Sequence, residues 1–161
     1  MRLRFVLPAL ACALLLGYGF YLQYGQGLEP CPLCLVQRGF FIAVAAVYVL
    51  AAAHDPARRG SLVYGLLAAL FAAGGAAVAA RQVWLQHLPP DKVPQCGPDL
   101  YFMLENFPLA RTLKTLVSGT GECAAVDWTF LGLSIAGWSL AWFGALFLYS
   151  LWLAWPRRRS A

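Results

Sequence analysis

The sequence predicts an all-α membrane protein: a four-helix transmembrane bundle with two outward-facing loops, the second carrying a short interfacial amphipathic helix. Three observations predict it. Of the 161 residues, 61% are hydrophobic and 12% are charged, against about 45–50% and 25% in soluble domains. The apolar residues gather into four runs that are uncharged or nearly so, each close to the ~20 residues that cross a bilayer as helix. Lysines and arginines sit at the ends of those runs. The net charge of +5 therefore reads as membrane topology, not as a phosphate-binding face for nucleic acid. The length predicts a single domain over residues 1–161.

The first span is expected over about 5–24, inside the uncharged stretch from Phe5 to Leu28. Arg2 and Arg4 before it would also suit a signal peptide, and Ala9-Leu10-Ala11-Cys12 hints at a lipoprotein cleavage site. The apolar run, however, continues well past Cys12. The second span is expected over about 35–53, broken only by Arg38. The third, about 62–80, is rich in alanine and glycine; Ala72, Ala76 and Ala80, with Gly75 and Ala79, place small residues where helix backbones can approach closely in lipid. The fourth is expected over about 135–155. Gly137, Ala141 and Ala145 repeat the small-residue spacing, and Trp138, Trp142, Trp152 and Trp155 suit interfacial belts and bundle packing.

Arg2, Arg4, Arg58, Arg59, Arg157, Arg158 and Arg159 fall on one side of these spans, and Lys92, Arg111 and Lys114 on the other. The excess puts both termini in the cytoplasm and two loops outside, about 25–34 and 86–127. Cys31 and Cys34 lie in the first loop, Cys96 and Cys123 in the second, on the side where disulfides persist. The long loop begins extended or turning at Pro89, Pro90, Pro94 and Pro98. Between Pro108 and Ser118 the spacing predicts a surface helix, with Leu109, Leu113, Leu116 and Val117 opposite Arg111, Lys114 and Ser118. Gly119 and Gly121 then free the backbone before Cys123.

Pro30-Cys31-Pro32-Leu33-Cys34 is the chemical focus. A disulfide closing so small a ring stabilises by only about 2 kcal/mol, against about 3.6 for the loop from Cys96 to Cys123. Such a pair is suited to exchange. Pro32 fits the first turn of the second helix, which brings Cys31 and Cys34 to a helix N-terminus whose dipole favours thiolate. Arg38 is four residues beyond Cys34, on the same face. Its guanidinium would support a thiolate or a developing oxyanion on a carbonyl acceptor; an arginine snorkelling to the interface would show the same spacing. Cys96 and Cys123 are equally served by a plain loop-closing disulfide. A four-cysteine zinc site is disfavoured because the second half lacks a Cys-x-x-Cys. Cys12 reads as a small buried apolar residue, and His87 as either an interfacial polar residue or a site group.

These motifs resemble the disulfide bond formation protein B family, DsbB, of bacterial inner membranes. The resemblance covers most of the chain. It rests on Pro30-Cys31-Pro32-Leu33-Cys34 with Gln37-Arg38, on Pro94-Gln95-Cys96, on Ser118-Gly119-x-Gly121-Glu122-Cys123-Ala124 and on Trp128-x-Phe130-Leu131-Gly132-Leu133. It implies a quinone-dependent protein-disulfide oxidoreductase with two periplasmic loops and no metal. Such a protein reoxidises a periplasmic, thioredoxin-like dithiol oxidase (DsbA-like) and passes the electrons to membrane quinone, either ubiquinone or menaquinone. By the same resemblance, the partner's thiolate attacks Cys96 of a Cys96–Cys123 disulfide, Cys123 relays to Cys31, and Cys34 faces quinone with Arg38 beside it. His87 carries over as a weaker member of the quinone pocket. Cys12 is extra to the pattern.

Two other readings remain at this point. One is the same chemistry serving a different dedicated thiol partner. The other is a non-enzymatic membrane subunit whose disulfides staple its loops, which leaves the Cys34–Arg38 spacing without a purpose. A vitamin K epoxide reductase-like protein fits less well, because there the loop pair precedes the Cys-x-x-Cys.

Overall fold

The computed structural model describes residues 2–94, 105–108, 119, 121–126 and 128–155. Four long helices dominate it: α1 (Leu3–Gln26), α2 (Pro32–His54), α3 (Arg58–Gln86) and α4 (Ile135–Ala154). All four are long and apolar enough to cross a membrane, and the chain is a multi-pass membrane protein. Cys96, the expected amphipathic helix of residues 108–118 and the arginines at 157–159 fall largely or wholly outside the described residues.

The helix ends follow from local chemistry. α1 stops at Gly27, whose φ of +68° suits a residue without Cβ, while the Gly27 N–H and, at 3.2 Å, the Leu28 N–H both reach back to the Leu22 carbonyl. Pro8 lies inside α1 and cannot donate to the Arg4 carbonyl. The Tyr149 hydroxyl of α4 donates to that same oxygen at 2.8 Å, so an acceptor orphaned by proline becomes an interhelix tie. α2 begins on Pro32 and ends at Asp55, which takes the left-handed conformation at φ 40°. A short turn then leads into α3. This helix outruns its expected span at both ends, because Arg58 and Arg59 extend it beyond the apolar run and Arg81 to Gln86 continue it past Ala80.

Packing places α2 against α1 and α3, and α3 most extensively against α4. On α3 the contact face is small: Gly65, Ala68, Ala72, Gly75 and Ala79 are buried. A Cβ on Gly75 would lie 2.3 Å from the Phe143 ring, and one on Gly65 would lie 3.0 Å from the Ser150 carbonyl oxygen. Glycine is required there for the helices to approach. Of the expected α3 stripe, Ala80 instead points outward. On α4, Ala141 and Ala145 are exposed and the buried face is Ala136, Phe143, Leu146, Ser150 and Leu153. The α4 small-residue spacing thus does not mark its packing face: large α4 side chains fill the hollow left by small residues on α3.

The mid-bundle core joins Phe5, Cys12, Phe41, Val44, Tyr48, Ala72 and Phe143. The Phe41 and Phe143 rings stack with centroids 4.0 Å apart. The Ser150 hydroxyl donates to the Leu146 carbonyl at 2.6 Å; Tyr48 OH, 2.6 Å from that oxygen, is therefore the donor to Ser150.

Before α4 the chain forms a two-stranded hairpin, β1 (Thr129–Phe130) and β2 (Leu133–Ser134), pairing Thr129 with Ser134 and Phe130 with Leu133. Leu131 and Gly132 both have positive φ, as a type I′ turn demands. Ser134 caps α4 by accepting from the Gly137 N–H at 3.2 Å and donates to Gln86 Oε1 of α3 at 2.7 Å. This hairpin closes the same end of the bundle at which α1 ends, α2 begins and α3 ends. The cysteines of the first loop are at that end.

Candidate active site

Cys31 is the N-cap of α2, in extended conformation at φ −64° and ψ 161°, and its Sγ accepts from the Cys34 N–H at 3.4 Å. A sulfur here replaces the oxygen of an ordinary cap, so the cap bond itself involves a redox atom. Proline at the next position holds the first turn. The two thiols face each other, with Cys31 Sγ donating to Cys34 Sγ at 2.9 Å.

The second loop delivers a third sulfur. Cys123 sits in a short 3₁₀ turn, Gly121–Ala124, fully buried beside Leu33 of α2 and Leu85 of α3. Gly119 makes this possible. It has φ +77°, and a Cβ there would fall 2.5 Å from Leu85 Cδ1 and 3.1 Å from Leu33 Cδ1, so only glycine lets the strand pass over that apolar ledge. The hydrogen bond between Cys31 and Cys123, then that with Cys34, then burial, hold the Cys31 thiol above the usual cysteine range. Three sulfurs thus form one chain, Cys123 to Cys31 to Cys34.

Gln82 of α3 completes the arrangement from the opposite wall. Its Nε2 donates to Cys34 Sγ at 3.2 Å and to Cys31 Sγ at 3.3 Å. Its Oε1 accepts from Gln37 Nε2 of α2 at 2.6 Å and, more weakly, from Cys34 Sγ at 3.6 Å. Both glutamines are 3% exposed. No motif in the sequence marks Gln82. The one signal was its register: Ala68, Ala72, Gly75, Ala79 and Gln82 follow each other at three- and four-residue steps along the buried face of α3.

Cys34 opens onto a cavity of about 900 Å³ between the helices. Leu15, Leu16 and Leu22 of α1, Phe41 of α2 and Trp142 of α4 line its apolar walls, and Arg38, Gln37 and Gln82 its polar side. Trp128, edge-on to Tyr18 at 6.0 Å between centroids, ties the hairpin end to α1 at its rim.

Arg38 lines this cavity, but its hydrogen bonds run to α1. Nη1 donates to Gln23 Oε1 and Nη2 to the Gly19 carbonyl at 3.0 Å, with the guanidinium 5.0 Å from the Phe20 ring centroid. α1 thereby holds a fixed cation at the wall of the cavity into which Cys34 faces. His87 is placed differently. It is exposed at the end of α3, its Nδ1 bonds the Val83 carbonyl oxygen at 2.8 Å, and it is not among the residues lining the cavity. Of the expected site residues, then, the structure brings Cys31, Cys34, Cys123 and Arg38 to one place and leaves His87 outside the cavity lining, with Cys96 beyond the described residues.

Residues 1–153 match the family model described as disulfide bond formation protein DsbB. The chain belongs to the DsbB family. It is 52% identical to a disulfide bond formation protein B of Methylococcus capsulatus over 158 residues, covering 98% of this chain and 96% of that protein. It is similarly 51% identical to one of Hahella chejuensis over 158 residues, 98% and 94% of the two chains. To one of Azoarcus it is 52% identical over 147 residues, 91% and 88% of the two chains. As a DsbB-family member the protein is a membrane oxidoreductase of disulfide bond formation, and the four-helix bundle is the scaffold of that activity.

Proposed function

We propose that this protein reoxidises a periplasmic, thioredoxin-like (DsbA-like) dithiol oxidase by thiol–disulfide exchange and passes the two electrons to membrane quinone. The observation that carries this reading is the position of Cys34 between two environments. On one side a chain of sulfurs leads through Cys31 to Cys123 of the second loop. On the other lies a cavity whose walls are mostly apolar and whose polar side holds Arg38.

The exchange proceeds in the order the sulfurs are arranged. The partner's thiolate attacks Cys96 of a Cys96–Cys123 disulfide; a new S–S bond forms to Cys96, and Cys123 leaves as thiolate. Cys123 then attacks Cys31 of the Cys31–Cys34 disulfide. The new bond joins Cys123 to Cys31, and the electron pair of the broken bond stays on Cys34. The partner's second thiolate attacks its own sulfur in the mixed disulfide, which leaves the partner oxidised and Cys96 as thiolate; Cys96 then attacks Cys123, restoring the loop disulfide and freeing Cys31. Each step moves two electrons and leaves one thiolate, so no proton need cross the buried site until the acceptor is reduced. The partner class has a potential near about −120 mV, so only a strong oxidant regenerates it.

The lining fits a quinone: the apolar walls from α1, α2 and α4 would hold its ring and tail, and Cys34 and Arg38 on the polar side would donate electrons and support developing negative charge. A bound ubiquinone or menaquinone supplies the two-electron acceptor. Arg38 is positioned for that role by Gln23 and Gly19. His87 has no part in this proposal. Residues 1–161 act as one integral domain of the bacterial inner membrane, with both termini cytoplasmic and the cysteine end periplasmic, as the arginines at positions 2, 4, 58 and 59 favour.

Purified protein, supplied with reduced DsbA-like partner and quinone, tests the reading. Wild type turns over, while Cys34→Ser and Cys96→Ser each lose about a thousandfold or more. Quinone reduction that survives Cys34→Ser would show that the electrons do not leave through this sulfur.

A further inference from the structure

The strongest feature that the relay leaves unexplained is a buried amide pair. Gln82 occupies the next position on a helix face otherwise made of Ala68, Ala72, Gly75 and Ala79. Placing a primary amide there costs desolvation, which only well-made hydrogen bonds offset. Its carbonyl accepts from Gln37 at 2.6 Å and, more distantly, from the Cys34 thiol at 3.6 Å. Its N–H groups are directed at Cys34 and Cys31, 3.2 and 3.3 Å away. A neutral thiol is a weak acceptor and a weak donor, so in the dithiol state the amide gains little from these contacts, the long Cys34 S–H bond to Oε1 included. A thiolate is a charged acceptor, and bonds to charged groups are roughly twice as strong. The network therefore favours the state in which one sulfur is ionised, which is the state exchange creates.

We propose that Gln82 is a catalytic residue of the relay, the hydrogen-bond donor that stabilises Cys34 as it leaves, and that Gln37 is the positioning residue that turns the Gln82 amide so its N–H groups meet the sulfurs. This deepens the relay reading above and rests on it for the direction of electron flow. The attacking thiolate bonds to Cys31 Sγ and is oxidised into the new disulfide. The Cys31–Cys34 bond breaks, and Cys34 keeps its electron pair and is reduced to thiolate. Gln82 Nε2 shares its hydrogen with that charge and transfers no proton.

Gln37 favours this orientation of the amide, because its N–H donates to Gln82 Oε1 and leaves Nε2 as the closer group to Cys34 Sγ, at 3.2 Å against 3.6 Å for Oε1. Were Gln37 to present its carbonyl, Gln82 would turn its own carbonyl to the sulfurs, and an oxygen lone pair beside a thiolate is repulsive. Arg38 directs two of its five N–H groups to Gln23 and the Gly19 carbonyl of α1, and its observed hydrogen bonds do not run to the sulfurs. The other ionisable groups lining the cavity are Tyr18, Glu29, Cys31 and Glu122, with Cys123 buried against Leu33 and Leu85. None of them changes in the variants below, so a shift in those variants reports the amide.

The test uses the full chain in lipid nanodiscs with all cysteines reduced. Alkylation of Cys34 is followed against pH by peptide mass spectrometry, beside the thermal midpoint of each variant. Gln82→Leu lowers Cys34 alkylation at neutral pH about tenfold and moves its midpoint up by about one pH unit. Gln82→Glu, which keeps the shape but offers only acceptors, moves it at least as far. Gln37→Leu, which unfastens the amide without removing it, moves it the same way by about threefold. Quinone-linked turnover falls in the same order and recovers as the pH is raised. A thermal midpoint that drops while the alkylation midpoint stays at the wild-type value would make the pair structural and overturn the proposal. Should Gln82→Leu not fold, Gln82→Glu and Gln37→Leu decide by the same criterion. Alkylation needs neither quinone nor partner. A wild-type protein inert toward quinone, with a moved midpoint in Gln82→Leu, would sink the relay reading and leave the Gln82 assignment standing.

Discussion

Two buried hydrogen-bond chains cross this bundle, and they end differently. At mid-bundle, Tyr48 donates to Ser150, which donates to the Leu146 carbonyl. At the cysteine end, Gln37 donates to Gln82, which donates to Cys34 and Cys31. The first chain ends on a backbone oxygen whose charge never changes, so all it contributes is attachment of α2 to α4. The second ends on sulfurs that alternate between disulfide, thiol and thiolate, so its strength varies with the redox state. Each region also holds a buried cysteine. Cys12 packs among Phe5, Val44 and Phe143, whereas Cys123 adjoins Cys31. A buried polar group or thiol is therefore functional here according to what terminates its network, and burial by itself does not distinguish the two.

The largest effect is expected at the ledge under Cys123. Gly119→Val places a β-branched side chain at φ +77° and drives its Cβ into Leu85. Strain and overpacking together cost about 2–4 kcal/mol. The loop then leaves its seat, and trapping of a Cys31–Cys123 disulfide falls about a hundredfold while the four helices stay intact by circular dichroism. Trapping at the wild-type rate would mean that the loop reaches Cys31 by another path. A smaller effect is expected at Arg38. Arg38→Ala raises the quinone KM about tenfold and leaves the KM for the dithiol partner unchanged; equal changes in both would remove the guanidinium from the acceptor side. The smallest effects belong to mid-bundle. Tyr48→Phe lowers unfolding stability by about 0.6–1 kcal/mol, and Cys12→Ala by about as much, with turnover unaffected in both. A large loss of turnover in either would show that the two regions are coupled.

The Cys31 thiol is held above its ordinary range by Cys123, Cys34 and burial. In folded, reduced protein this sulfur keeps its proton where the unfolded chain would already have lost it. That increment of stability is complete below the unfolded cysteine value and is lost as pH rises above it. Reduced protein consequently loses stability toward alkaline pH more steeply than a Cys31→Ser variant, a difference that thermal unfolding at several pH values reads directly.

Much of the architecture was legible in the linear chain because bilayer thickness fixes helix length. Four apolar runs became α1 to α4, and Pro32 after Cys31 placed the pair at a helix start. Helix faces were harder to read. In water an apolar stripe marks the buried side, but lipid is as apolar as a protein core and no such contrast exists. Leu62, Leu66 and Leu70 of α3 accordingly face outward, while alanines and glycines of the same helix are buried. The same reason misdirects the stripe of Ala141 and Ala145 on α4, which turns outward because Gly75 already supplies the hollow that Phe143 fills.

What the sequence by itself determined is the set of spans, the Cys-x-x-Cys at the head of α2 and membership in a family of disulfide-forming membrane proteins. Each is written in local spacing or in contiguous motifs. The tertiary structure alone decided that Gln82 reaches the sulfurs from α3, that α1 holds Arg38, and that Cys123 seats between Leu33 and Leu85. These contacts join residues tens of positions apart. They depend on which faces meet, and in a bilayer that is settled by shape and by hydrogen bonds between helices, not by hydrophobic period.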